Sequence, residues 1–170
     1  MDFLRWLIDE HFILFMGCIF ILCFILIMIP LANLDKKRKK WEEKVRKSNI
    51  NEIDKMPGKV FEDYLKLIFK SRGYKVHTTK TSGDFGADLI LTTGSRKIVV
   101  QVKRYKNKVG LQAVQEVVSS REYYHANECW VITNNYFTAP AEKLAAVNRV
   151  NLINREELID WITDEKRKVE

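Results

Sequence analysis

Two short stretches hold the side chains best placed to do chemistry. Gly83-Asp84-Phe85-Gly86-Ala87-Asp88-Leu89-Ile90 sets a carboxylate, Asp88, among apolar residues, and Val99-Val100-Gln101-Val102-Lys103-Arg104 sets an amide and an ammonium among valines. Residues two apart on a strand share a face, so Gln101 and Lys103 point one way while Ile98, Val100 and Val102 point the other. If the two stretches pair as a hairpin, Asp88 lies opposite the end of the second strand, and the three polar groups converge at one end of a sheet. Such groups cost several kcal/mol to bury unless they are satisfied. A hard cation would satisfy them. Mg2+ takes one or two carboxylates with carbonyls and waters, and Asp88, the Gln101 side-chain oxygen and the Val102 carbonyl supply that set. Lys103 would then orient or help deprotonate an attacking water and stabilise the charge that builds on a phosphoryl group. The plainer alternative is a buried ion pair between Asp88 and Lys103 on neighbouring strands.

Around these stretches the pattern is that of an α/β domain. Phe61, Tyr64, Leu65 and Ile68 recur at helical spacing, which predicts a helix over Lys59–Arg72 ended by Gly73 in a left-handed cap. Strands are expected over Tyr74–Lys80, Ala87–Thr92 and Lys97–Lys103. The short connections between them, including Thr81-Ser82-Gly83-Asp84, suggest an antiparallel meander. A second helix follows over Val109–His125, with Val109, Ala113, Val114, Val117 and Val118 toward the core. Cys129–Thr133 reads as a short buried strand. Thr138 could cap a further helix, with Pro140 in its first turn. Leu152-Ile153 is a last strand candidate before a terminal helix over Arg155–Lys166.

The sequence resembles the Mrr-type branch of the PD-(D/E)xK nuclease superfamily from about Gly58 to Ile162. The resemblance is carried in order by Val60-Phe61-Glu62, Gly73-Tyr74-Lys75-Val76, Gly83-Asp84-Phe85-Gly86-Ala87-Asp88, Val100-Gln101-Val102-Lys103-Arg104-Tyr105, Val109-Gly110, and Val131-Ile132-Thr133-Asn134 before Phe137-Thr138. It implies a restriction-endonuclease-like three-layer α/β/α domain with a mixed central sheet, and Mg2+-dependent hydrolysis of DNA phosphodiesters, with Mn2+ as a substitute. It assigns Asp88 to the metal, Gln101 to a position usually held by Glu or Asp, and Lys103 to the catalytic lysine. Gln101 removes one negative charge, which should weaken metal affinity. Glu62 matches the family's helix glutamate and would restore it through a metal-bound water; a solvated helix position is the equal alternative. Such restriction enzymes act on modified DNA through a separate recognition domain, and no such specificity is expected of this length of chain.

Beyond Lys103, Arg104, Lys106 and Lys108 form a basic run with Tyr105. As a surface it could grip phosphates flanking the scissile bond, extended by Lys80, Arg96 and Lys97; as a loop it would simply be solvated. Asp84 reads as a turn residue, and Gln115 on the second helix could face the site. His77 and His125 are isolated, and Cys18, Cys23 and Cys129 form neither a disulfide framework nor a CxxC metal site. There is no GxSxG elbow, P-loop or HExxH, so serine and zinc hydrolase chemistry have no support.

From Phe12 to Ala32 no charged residue occurs, and Asp35-Lys36-Lys37-Arg38-Lys39-Lys40 follows. That length suits a membrane-spanning helix. A cleaved signal would want a basic start and a shorter apolar run, whereas Asp2, Asp9 and Glu10 here outnumber Arg5. Basic flanks stay on the cytoplasmic side, so the N-terminus is expected outside and the C-terminal part in the cytoplasm. The expected division is an anchor at 1–34, a basic stalk at 35–56 and the endonuclease domain at 57–170. Beyond residue 34 there are 28 bases and 19 acids, a formal +9, which suits a polyanion such as DNA. Three readings follow: a membrane-tethered endonuclease, a catalytically silent membrane-tethered DNA-binding protein, and a membrane protein whose nuclease-like domain binds a protein partner. A double-strand cut needs two active sites, which points to a homodimer.

Overall fold

In the computed structural model, the described residues are 16–30, 32–34, 36, 39–40, 49–79 and 85–167. The chain divides into two compact units, Met1–Glu43 and Lys44–Glu170. The first contains helix α1 (Met16–Leu34), 19 residues of mean hydropathy 2.6 with none of its length buried. Leucines, isoleucines and phenylalanines are exposed all along it.

The second unit runs α2 (Ile50–Ile53), α3 (Gly58–Ser71), β1 (Lys75–Thr78), β2 (Leu89–Thr93), β3 (Arg96–Lys103), α4 (Leu111–Tyr123), β4 (Glu128–Thr133), α5 (Ala139–Asn148), β5 (Val150–Ile153) and α6 (Arg155–Arg167). The strands form one sheet in sequence order. β1, β2 and β3 are the expected antiparallel meander, with Leu89 opposite Val100 and Leu91 opposite Ile98. β4 then joins β3 in parallel, and β5 joins β4 in parallel. The sheet is therefore mixed, and β3 sits in its middle.

The strand alternation sorts side chains into two cores. Leu89, Leu91, Ile98, Val100, Val102 and Ile132 face Phe61, Leu65 and Ile68 of α3 and Leu158 and Ile162 of α6. Val99, Cys129 and Val131 face Ala113, Val114 and Val117 of α4 and Ala141 and Ala145 of α5. This is the three-layer α/β/α arrangement expected from the sequence. Local chemistry sets the helix ends. Gly73, at φ +86°, lets Tyr74 N–H donate to the Phe69 carbonyl and Gly73 N–H to the Lys70 carbonyl, the paired closure of a left-handed cap. Thr138 Oγ1 accepts from Ala141 N–H at 3.4 Å to start α5.

The packing begins earlier in the chain than the Met56-Pro57-Gly58 punctuation suggests. Asn49 caps the single turn of α2, accepting from Asn51 and Glu52 N–H at 3.0 and 3.1 Å. Ile53 is fully buried and Met56 joins the same core, so residues ahead of Pro57 take part in the packing. Asp54 ties this segment across the fold. Its carboxylate receives both Arg155 Nη1 and Nη2 at 2.8 Å and Asn134 Nδ2 at 2.8 Å. The Arg155 guanidinium holds the Asp54 carboxyl below its ordinary range, with Asn134 and the charge of Arg104 adding to the effect.

A carboxyl whose pKa is lower folded than unfolded stabilises the fold above the unfolded value, and ceases to do so as pH falls through the folded one. The pair is partly open to solvent, with 34% of the Asp54 side chain exposed, so screening discounts it. Asp54→Asn is expected to cost about 1 kcal/mol near neutral pH. In thermal melts the gap from wild type should narrow below about pH 4. A gap that stays constant from pH 7 to pH 3 would show that the charge of Asp54 contributes nothing.

Candidate active site

The site is assembled where β2 begins and β3 ends. Asp88 lies one residue before β2, and its main chain is fixed on both sides. Asp88 N–H donates to the Val100 carbonyl at 2.8 Å, and its own carbonyl accepts from Thr79 N–H at 3.1 Å. Thr79 Oγ1 also donates to the Ala87 carbonyl at 2.6 Å. With the main chain held, the carboxylate turns onto β3. Asp88 Oδ2 accepts from Gln101 Nε2 at 2.7 Å and from Val102 N–H at 2.6 Å. Gln101 is only 6% exposed, so its amide needs this partner.

Lys103, on the same face of β3 two residues on, does not pair with Asp88 in the way the plainer sequence alternative supposes. Its Nζ lies 2.7 Å from Glu116 Oε2 of α4, with 18% and 29% of the two side chains exposed. The contact is a short ion pair. Charge holds the pair together. Glu116 Oε1 accepts from Gln112 Nε2 at 2.9 Å, one turn back along the helix. Gln115, the helix residue singled out from sequence, is exposed; its neighbour Glu116 is the one that reaches Lys103. Nothing in the sequence marks Glu116 except its place one helix after the QxK strand.

The segment before Asp88 is docked on α4 at the same point. Ser119 Oγ donates to the Phe85 carbonyl at 3.2 Å, and Gly86, at φ +88°, lies directly against the Glu116 main chain. Phe85 itself has φ +52°, a rare conformation for an aromatic residue, and its exposed ring stacks on Tyr123 at 4.0 Å between centroids. Asp84 and Lys80 lie outside the described residues.

Glu62 is in the first half of α3, bonded to Lys59 Nζ at 2.7 Å. This bond raises the Lys59 pKa, and the charge of Asp88 makes the smallest of the contributions that add to it. The start of α3 is thus within electrostatic reach of Asp88. Arg104 belongs to the basic run expected to bind phosphates. It is half-buried and turned toward Asp54, with Nη1 3.5 Å from that residue's carbonyl. Lys106 and Lys108 are exposed. Their loop is pinned to the one after β4: Tyr105 N–H donates to Asn134 Oδ1 at 2.9 Å, Asn135 Nδ2 to the Lys106 carbonyl at 2.8 Å, and Val109 bridges Phe137.

Among the described residues no three His, Cys, Asp or Glu side chains gather as a metal cluster. The oxygens that Asp88, Gln101 and Val102 carry, a carboxylate, a side-chain amide and a main-chain carbonyl, are nonetheless hard donors. That chemistry fits Mg2+ or Mn2+ and not a soft metal. The Gln101 amide now presents its nitrogen to Asp88. A half-turn about its last torsion would present the oxygen with almost no change in shape.

No curated protein matches the chain. Three solved structures match part of the chain at low identity. A crystal structure of a protein of unknown function, AF1548, has TM-score 0.49 and 14% identity over 58% of this chain and 63% of its own. The DNA modification-dependent restriction endonuclease AspBHI has TM-score 0.48 and 16% identity over 71% and 34%. The MspJI restriction endonuclease, in complex with a 27-mer oligonucleotide, has TM-score 0.40 and 19% identity over 57% and 25%. The chain therefore spans less than two thirds of each of these proteins. The family Mrr_cat, restriction endonuclease, matches residues 53–162, from the buried Ile53 of α2 to the buried Ile162 of α6, and the chain belongs to that restriction endonuclease family.

Proposed function

We propose that this chain is a divalent-metal-dependent endonuclease that hydrolyses DNA phosphodiester bonds while tethered to the cytoplasmic face of a membrane. The observation that carries the proposal is the union of Asp88, Gln101 and Val102 in one hydrogen-bonded group beside the Lys103–Glu116 pair. Asp88, the Gln101 side-chain oxygen and the Val102 carbonyl would hold the cation, which when bound supplies Lewis-acid polarisation of the phosphate. Lys103 donates from its ammonium to phosphate oxygens as negative charge builds in the transition state. Lys106 and Lys108 bind phosphates on either side of the scissile bond and fix its register. Glu62, on the first half of α3, orients a water from the opposite side of the group. A second copy of the chain would supply the site for the other DNA strand.

The tether is α1. Its 19 residues span about 28 Å at helical rise, close to a bilayer core, and the basic run at 36–40 favours retention on the cytoplasmic side. The test uses the full chain purified in detergent with supercoiled plasmid. Cleavage is expected with Mg2+ or Mn2+ and not with EDTA. In sealed right-side-out vesicles, added protease should leave a C-terminal tag intact; digestion of that tag would reverse the orientation.

One observation favours a second reading. Gln101 brings an amide where a second carboxylate would bring charge, and here it donates to Asp88. A chain that binds DNA in a strongly salt-dependent way, yet leaves plasmid uncut after long incubation in Mn2+, is a tethered DNA-binding protein.

A further inference from the structure

We propose that Glu116 is the positioning residue for Lys103, a role that rests on the nuclease reading above. Lys103 ends β3, and its side chain is a flexible stem with four rotatable bonds and much rotamer entropy to lose. Left alone, an ammonium on such a stem samples many positions, and a misplacement of about 1 Å can cost roughly a hundredfold in rate. Glu116 removes that freedom. Its Oε2 fixes the ammonium at 2.7 Å, and its Oε1 is itself fixed by Gln112.

The support behind Glu116 is equally specific. Its main chain is the surface against which Gly86 rests, and Ser119, one turn on, bonds the Phe85 carbonyl. The same turn of α4 therefore locates both the segment leading into Asp88 and the tip of Lys103. The two groups come from different strands, and α4 sets their spacing. The pair joins an ammonium to a carboxylate, and its charge is what a neutral amide of the same shape would not reproduce.

The experiment compares wild type, Glu116→Gln, Asp88→Asn and Lys103→Arg as full chains in detergent. It measures plasmid cleavage, Mn2+ affinity by calorimetry and the side-chain ammonium spectrum of lysine labelled with nitrogen-15. The Lys103 signal is identified by its absence from Lys103→Arg. In Glu116→Gln, kcat should fall roughly ten- to a hundredfold, with KM for DNA and Mn2+ affinity within about twofold of wild type. The Lys103 signal should broaden or disappear, while Asp88→Asn should keep it. If Glu116→Gln cuts as fast as a wild type that cuts, or retains the Lys103 signal, the positioning role is wrong and the nuclease reading stands. If wild type cuts no DNA with either metal, the nuclease reading falls and takes this role with it.

Discussion

Asp88→Asn is expected to leave the domain folded and to reduce DNA cleavage by about a thousandfold or more, a loss of about 4 kcal/mol of transition-state stabilisation. Asparagine has the shape of aspartate, and its side-chain oxygen can still accept from Val102 N–H and Gln101 Nε2, as the carboxylate does now. Alanine would strand the Val102 N–H in a buried position and add about 1–3 kcal/mol of destabilisation, so it confuses the two effects. What asparagine lacks is the charge that a hard cation requires. Melting curves and Mn2+ titration separate the outcomes. The expected result is an unchanged Tm, no measurable Mn2+ binding and no cleavage. Cleavage within tenfold of wild type would mean that the cation, if one is used, binds elsewhere.

Gly86→Ala should have the largest effect of any glycine-to-alanine change among the described residues. A Cβ at residue 86 would run into the Glu116 carbonyl oxygen and approach the Glu116 C and Cα at 2.5 and 2.8 Å. These are main-chain atoms of a helix and cannot swing aside. The φ of +88° adds about 1–2 kcal/mol for any residue with a side chain, and overpacking adds about 1–3. A total near 3 kcal/mol corresponds to a drop in Tm of roughly 10 °C or more. Activity should suffer in the protein that remains folded, because separating residue 86 from α4 separates Asp88 from the support of Lys103. Gly94→Ala is the control. Gly94 also has positive φ, at +54°, but nothing lies within 4 Å of its added Cβ, so about 1 kcal/mol is expected with cleavage unchanged. Equal Tm for the two variants would remove the close approach at Gly86 as a determinant of the site.

The sheet and its two cores were legible because their signal is periodic. The alternation of Ile98, Val100 and Val102 on β3 and the helical spacing of Phe61, Tyr64, Leu65 and Ile68 leave few ways to bury the apolar surface. The convergence of Asp88 and Gln101 followed from that same alternation. Glu116 was not legible, because an acid on the half-exposed face of a helix looks like any solvated residue until a strand end comes to meet it. Asp54 was hidden for a different reason. It lies in a highly charged segment whose buried residues, Ile53 and Met56, are too few to show a period, and its partners Asn134 and Arg155 are far away in the sequence. A basic run also does not show which of its cations turns inward: the Arg104 guanidinium lies toward the main chain of Asp54.

The bond between Asp54 and Arg155 closes over 101 residues of sequence, and this sets an order of events during synthesis. A ribosome adding 5–20 residues per second takes about 5–20 s to travel from one partner to the other. For part of that time the meander of β1, β2 and β3 is complete while β4 has yet to be made, so the edge of β3 that carries Gln101 and Lys103 offers unpaired main-chain groups to any nascent strand nearby. The growing chain is most open to mispairing in that interval, and a chaperone acting on it would have its greatest effect before residue 133 emerges.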